Sequence, residues 1–258
     1  MDLLSLVDVE RLRPVHGRFP AHSHDEFVIS VNGPGVLVES VTLDRARFEV
    51  GADDLTVYNP GQVQASSART QAGTPWECIS IHVDPQTAAA VLGGQPAEAR
   101  RPVVSDPRLA HGLRRAAALH DQQAARELAL WVLSEALRQS AREPSNPSAL
   151  EGPGTEGLRP VLERMRNDLS FPVRVSELAE SASLSPDHFI RSFVRTVRLT
   201  PYAWHLQLRL REGRRRLRDG EAPAAVAAAL GFSDQSHFHR HFRAAYAQTP
   251  GAVRRRDR

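Results

Sequence analysis

The 258-residue chain contains no lysine, so all 33 of its basic residues are arginine. Cysteine is almost absent too. The one cysteine, Cys78, can form neither an internal disulfide nor a cysteine-based zinc site, and it reads as a small buried hydrophobe. No apolar run reaches the roughly 18 residues of a membrane span, so no transmembrane helix is expected. The opening residues, MDLLSLVDVERLRP, are acidic early and lack a basic start ahead of an apolar block. No secretory signal is therefore expected, and the chain reads as cytoplasmic. With 41% hydrophobic residues it can bury real cores, and its length suits two domains.

The net charge of +3 hides an asymmetry. Residues 1–156 carry 14 arginines against 20 acidic residues, a net −6, whereas residues 157–258 carry 19 against 10, a net +9. Codon bias can explain arginine over lysine, but not this separation. A basic second part points to a polyanionic partner.

The first 85 residues read as β-structure. The runs EFVISV, VLVESVTL, RARFEV, LTVY and ECISIHV are separated by NGPG, GADD and NPG, which supply the glycine and proline positions of tight turns. Strands at this spacing indicate a small sandwich or barrel. From Asp106 to Arg142 the pattern turns helical, with Asp106 as N-cap and Pro107 in the first turn. The segment Leu128–Leu137 is apolar around much of its circumference, which calls for partners on more than one side: its own barrel, a second subunit, or both. Residues 141–157 concentrate Pro, Gly and Ser and read as a linker.

The last hundred residues hold a repeat. Leu178-Ala179 and Leu184 match Val226-Ala227 and Phe232 at an offset of 48; Phe189, Arg191, Phe193 and Thr200-Pro201 match Phe238, Arg240, Phe242 and Thr249-Pro250 at an offset of 49. Each unit is a short helix, a turn and a second helix preceded by a Ser/Asp cap, the helix-turn-helix pattern. On a helical wheel Phe238 and Phe242 define the buried stripe and Arg240 points away from it. Ser236, His237 and Arg243 share the outward side, while His239 and His241 flank the core. In the first unit Phe189 and Phe193 are inside, while Asp187, Arg191 and Arg195 face out. Such a helix fits a major groove, where arginine can pair with guanine. His237 and His241, four apart, could share a metal, but no third ligand is apparent nearby.

The stretches ALGFSDQSHFHRHFRAAYAQTPGAVRR and SLSPDHFIRSFVRTVRLTPYAW, with the helix between them, resemble the DNA-binding domain of the AraC/XylS family of bacterial transcription regulators. The resemblance covers residues 158–256. It implies two helix-turn-helix units joined by a connecting helix, Pro201 to Asp219, whose inner face would be Tyr202, Leu206, Leu210, Gly213 and Leu217. Gly213 departs from the family's usual alanine, which predicts a less rigid helix. The expected DNA contacts are Ser185, Asp187, His188, Ile190, Arg191 and Arg195 in the first unit, and Ser236, His237, His239, Arg240 and Arg243 in the second. Arg198, Arg209, Arg211, Arg214–Arg216 and Arg254–Arg256 could hold phosphates, Arg209 equally serving inside the domain and Arg214–Arg216 reading as a solvated face.

In the first part, FPAHSHDEFVISV and LTVYNPGQVQ resemble the small-molecule-sensing, cupin-like domain of the same family. A metal-binding cupin needs a histidine where Gln64 stands, and Glu26 lies too close to His24 for that pattern. No metal and no cofactor are expected. His22, His24, Glu26, Tyr58, Trp76 and His82 are the expected effector-pocket residues.

The fold expected is α+β in two domains: residues 1–142, a cupin-like β-barrel with trailing helices for effector binding and dimerisation; 143–157, a linker; 158–258, an all-α domain with two helix-turn-helix units. The function expected is a non-enzymatic, sequence-specific DNA-binding regulator. Its expected partners are a double-stranded DNA operator, a small-molecule effector of unspecified identity, a second copy of the chain and RNA polymerase, with no membrane. The alternatives are a ligand-independent architectural DNA-binding protein and a cupin metalloenzyme tethered to DNA.

Overall fold

A computed structural model describes residues 8–44, 46–95, 97–141, 156–197 and 199–256. It divides into two units, Met1–Pro147 and Ser148–Arg258. Most of the expected linker, and Arg198, lie outside the described residues.

Among the described residues the first unit has nine strands: β1 (Asp8–Leu12), β2 (Arg18–His22), β3 (Phe27–Asn32), β4 (Val36–Leu43), β5 (Ala46–Val50), β6 (Leu55–Tyr58), β7 (Gln64–Thr70), β8 (Cys78–Val83) and β9 (Val103–Val104). They pair antiparallel in two sheets, ordered β1-β8-β3-β6-β9 and β2-β7-β4-β5. Among the described residues three α-helices accompany them: α1 (Pro85–Val91), α2 (Pro107–Ala116) and α3 (Gln122–Ser140). Asp84, Asp106 and Asp121 cap the three N-termini by accepting hydrogen bonds from main-chain N–H groups of the first turn.

Strand alternation divides the core in two. Phe27, Ile29, Val31, Leu55, Val57, Ile79, Ile81 and Val83 point to α2 and α3, where they meet Leu109, Leu113, Val132, Leu133, Ala136 and Leu137. The opposite face of the same strands carries Val28 and Tyr58, packed with Val41, Leu43 and Val50 of the other sheet. Helix α3 therefore uses one face for its own sandwich. Trp131 lies on another face and is 45% exposed. Its ring edge rests beside Gly112, where a Cβ would come within 3.0 Å of it.

The second unit is helical: α4 (Arg159–Asn167), α5 (Val175–Ser181), α6 (Pro186–Val197), α7 (Pro201–Arg218), α8 (Pro223–Ala229), α9 (Gln235–Tyr246) and α10 (Pro250–Arg256). It holds two cores. One gathers Leu158, Val161, Leu162 and Met165 with Leu178, Ala179, Phe189 and Phe193. The other gathers Leu210, Leu217, Val226, Leu230, Phe232, Phe238, Phe242 and Tyr246. Helix α7 serves both, with Trp204 against the first and Leu206, Leu210 and Leu217 in the second. Its buried positions accordingly spread beyond one stripe to include His205, Gln207 and Arg214. Tyr202, expected inside, is 55% exposed.

The two helix-turn-helix turns are built alike. After α5, Leu184 N–H donates to Ala179 O and Ser183 N–H to Glu180 O; after α8, Phe232 N–H donates to Ala227 O and Gly231 N–H to Ala228 O. This bonding pattern closes a helix through a left-handed residue. Ser183 has φ +55° and Gly231, at the equivalent position, φ +71°. A side chain at Gly231 meets a second obstacle, because its Cβ would sit 2.5 Å from the carbonyl oxygen of Ser170. Gly231→Ala is therefore expected to destabilise the unit by more than the left-handed cost alone, itself about 1–2 kcal/mol. Ser183→Gly relieves that cost but adds about 0.5–1 kcal/mol of glycine entropy, so it should change stability little. Thermal unfolding followed by circular dichroism compares the two, and a Gly231→Ala protein as stable as the parent would refute the close-approach argument.

Candidate functional site

The space between the two sheets is unusually polar. Glu10, His22, Ser23, His24, Asn32, Glu39, Gln64 and Ser80 are all buried. They arise from the same alternation that makes the apolar core: Ser80 and His82 alternate with Ile79, Ile81 and Val83 on β8, and Ser30 and Asn32 with Ile29 and Val31 on β3. Trp76 Nε1 donates to Asn32 Oδ1 at 2.9 Å, and Asn32 Nδ2 donates to Glu39 Oε2 at 3.0 Å. Burial pushes the Glu39 carboxyl above the usual carboxylate range, partly opposed by its hydrogen bonds to Ser66 and Asn32. Burial also pushes the Tyr58 hydroxyl and the Cys78 thiol well up, so neither ionises near neutrality.

The histidines form a ladder. His22 and His24 have ring centroids 4.9 Å apart, and His24 and His82 5.0 Å. His22 Nδ1 lies 2.7 Å from Pro20 O, so it carries the proton and donates. Its Nε2 then accepts from the Gln64 amide at 3.3 Å. The turn Asn59-Pro60-Gly61 fixes the next rung, since Gly61 N–H donates to the carbonyl of His24 at 2.7 Å. His82 stands between two carboxylates: Nδ1 is 3.7 Å from Glu26 Oε2, and Nε2 is 3.6 Å from Glu10 Oε2 and 3.2 Å from Ser80 Oγ. Trp76 joins through Phe19, whose ring lies 5.4 Å from it and 5.6 Å from His22. Tyr58 faces the same interior from β6, because Val28 pairs with Tyr58 on one side and His82 on the other. All six sequence-derived pocket residues thus line one interior. Glu10, Asn32, Glu39, Gln64 and Ser80 belong to it as well and were not anticipated; polar residues recurring at every second position of apolar strands were the available signal.

The second unit presents two helix faces. On α6, Phe189 and Phe193 are fully buried, while Asp187, His188, Arg191 and Arg195 are exposed. Ile190 and Val194, at 36% and 37% exposure, place apolar surface beside those arginines. Ser185 is exposed and accepts from His188 N–H at 3.4 Å at the start of α6. On α9, Phe238 and Phe242 are fully buried, and Ser236, Arg240 and Arg243 are exposed. Asp234 caps this helix, accepting from His237 N–H at 2.7 Å. His237 and His239 are half-buried. His237 lies edge-on to Phe232 and to His241, with Nδ1 3.1 Å from Ser233 Oγ. Burial, then the nearby His237 and Arg240, depress the His241 pKa.

Several arginines expected at phosphates have partners within the unit instead. Arg209 donates through Nε to Leu169 O at 2.6 Å, through one Nη to Phe171 O at 2.7 Å and through the other to Gly231 O at 3.3 Å. Its role is structural. Arg214 is buried over the Tyr246 ring. Arg215 and Arg216 grip Glu212 at 2.8 Å and 2.7 Å, which holds that carboxyl down to about 2. Arg254 donates to Gly220 O at 2.9 Å. Gly213 is likewise not a point of slack. A Cβ there would lie 3.0 Å from the Phe238 ring, so the glycine lets α7 approach the helix that carries Arg240.

An AraC-like ligand binding domain model matches residues 7–140, and a helix-turn-helix domain model matches residues 178–256. The HTH-type transcriptional regulator GlxA of Rhizobium meliloti is 36% identical over 139 residues, covering 52% of this chain and 42% of that protein. The HTH-type transcriptional regulator YbfI of Bacillus subtilis is 25% identical over 238 residues, covering 90% and 85%. The chain thus spans less than half the length of GlxA. Among solved structures, ToxT from Vibrio cholerae O395 superposes with a TM-score of 0.54 at 8% identity over 96% of both chains. Unsaturated fatty acid bound ToxT from V. cholerae strain SCE256 gives 0.54 at 11%, covering 95% and 92%. These likenesses concern the fold. With its sensor-type sandwich and its paired helix-turn-helix units both matched, the chain belongs to the AraC/XylS family of transcription regulators.

Proposed function

We propose that the chain is a cytoplasmic, effector-responsive regulator that reads two adjacent major-groove segments with α6 and α9 and carries out no catalysis. The observation that supports this best is the equivalence of Arg191 and Arg240: each is exposed, each lies on a helix held by two fully buried phenylalanines, and each follows the same left-handed turn. Ser185, Asp187, His188, Ile190 and Arg195 would flank the first arginine; Ser236, His237, His239 and Arg243 would flank the second. Residues 1–142 would sense and dimerise, 143–157 would link, and 158–258 would bind the operator and meet RNA polymerase. The effector would enter the sandwich interior at His22, His24, Glu26, Tyr58, Trp76 and His82. It acts only by favouring one conformational state over another, and operator and effector then alter each other's affinity reciprocally.

Arg240→Ala is expected to weaken specific operator binding by about 1–3 kcal/mol, read by fluorescence anisotropy, while Arg215→Ala changes it little. Unaltered affinity of the Arg240 variant would remove that residue from the interface. The fragment 158–258, which carries both helical cores, should lose DNA affinity steeply as salt rises, because its positive charge displaces condensed counterions. A flat response contradicts the electrostatic reading. The Trp131 face of α3, with Leu130 beside it, is the expected self-contact. Sedimentation at micromolar concentration should show a dimer that Trp131→Arg dissociates; a monomeric parent would end this part of the proposal.

A further inference from the structure

His82 stands between two carboxylates. One ring nitrogen faces Glu26 at 3.7 Å and the other faces Glu10 at 3.6 Å. A neutral ring has one N–H and one lone pair. Nε2 also has the Ser80 hydroxyl at 3.2 Å. The buried Nδ1, on the Glu26 side, engages no hydrogen bond. Nδ1 is thus the ring nitrogen within reach of a bound cation.

His24 identifies the side. One ligand atom each from His24, Glu26 and His82 lies within 4.8 Å of the others, the sole such group of three among the described residues. Two ligands bound at about 2.0–2.1 Å to a tetrahedral ion lie roughly 3.4 Å apart, so small side-chain rotations bring all three into range. On the far side, Ser80 and Glu10 sit where they would receive an Nε2–H. That proton placement leaves the Nδ1 lone pair for an ion and orients the ring, as outer hydrogen bonds do at histidine metal sites.

We propose that His24, Glu26 and His82 bind a divalent first-row transition ion, with Glu10 as a positioning residue. Two imidazoles and one carboxylate suit zinc, cobalt, nickel or iron better than calcium or magnesium. Cys78 takes no part, because burial keeps its thiol protonated. His22 takes no part either, since both of its nitrogens are engaged by Pro20 and Gln64. The site differs from the ligand pattern read off the sequence: Gln64 supplies no ligand, and His82, from the other sheet, fills the need. Three protein ligands leave a coordination position open, which a water or a donor atom of an effector can occupy. The ion's binding does not depend on the DNA-binding role, and its absence would leave that role intact.

The test uses the full, untagged chain with Zn²⁺ and Co²⁺ as probes. Isothermal titration and elemental analysis after dialysis should give about one ion per chain, and Co²⁺ should show the intense visible bands of a low-coordinate nitrogen/oxygen site. His24→Ala, Glu26→Gln and His82→Ala should each weaken Zn²⁺ binding at least 100-fold, and Glu10→Gln about 10–100-fold. Substituting His237 and His241 to alanine should leave it unchanged. Should a variant fail to fold, long-range ¹H–¹⁵N spectra of the parent decide: Zn²⁺ should shift the His24 and His82 ring nitrogens. No ion bound, equal affinity in the folded triad variants, or shifts confined to His237 and His241 would each overturn the proposal.

Discussion

The C-terminal unit depends on one guanidinium. Arg209 projects from α7 and closes three main-chain carbonyls, two in the loop after α4 and one in the turn of the second helix-turn-helix. Loop carbonyls shielded without donors are costly, and a planar fork with several N–H groups satisfies the two part-buried ones and the exposed one of Gly231 at once. That clamp sets the loop against Gly231, where no Cβ fits. The turn is thereby fixed, and with it the start of α9 and the direction of Arg240. Arg214 over Tyr246 and the Glu212 grip on Arg215 and Arg216 stiffen the same helix. A surface that meets a polyanion needs arginines held at set positions. Here a share of the arginine content builds the frame that carries the exposed Arg191 and Arg240.

In the first unit the governing constraint is the pleat. Successive side chains of β3, β6 and β8 go to opposite faces, so one sequence serves two solvents. Toward α2 and α3 lies an apolar core. Toward the second sheet it is a cleft of imidazoles, carboxyls and amides. The apolar side stabilises the fold without help from the polar side. The polar side is thus able to hold costly arrangements, such as the buried carboxyl of Glu39 and an imidazole between two carboxylates, that no stable core would tolerate alone.

Much of this was legible in the sequence, for identifiable reasons. The repeated Phe-x-Arg-x-Phe motif specifies helix, buried stripe and outward arginine together, so α6 and α9 follow directly from the spacing. Strands β3, β4, β5, β6 and β8 announce themselves by Val, Ile and Leu. Strand β7, Gln-Ala-Ser-Ser-Ala-Arg-Thr, has almost no apolar signal and is a strand because β2 and β4 flank it. The roles of Arg209 and Gly213 could not be read locally, since their partners lie roughly 20 to 40 residues away in sequence. The position of His82 between Glu10 and Glu26 likewise depends on register: β1 pairs with one side of β8 and β3 with the other, bringing residues from positions 10, 26 and 82 to one point.

The two left-handed turns have a consequence for modularity. Both helix-turn-helix units close with the same hydrogen bonds, and by that measure they are copies. The second turn, however, is keyed to the rest of the unit by the Ser170 carbonyl, and the first carries a serine in the same backbone conformation. A segment excised from the first unit would not seat in the second. The two units look like interchangeable parts but are not, because a loop outside both, whose Leu169 packs against one core and Phe171 against the other, is seated against only the second turn.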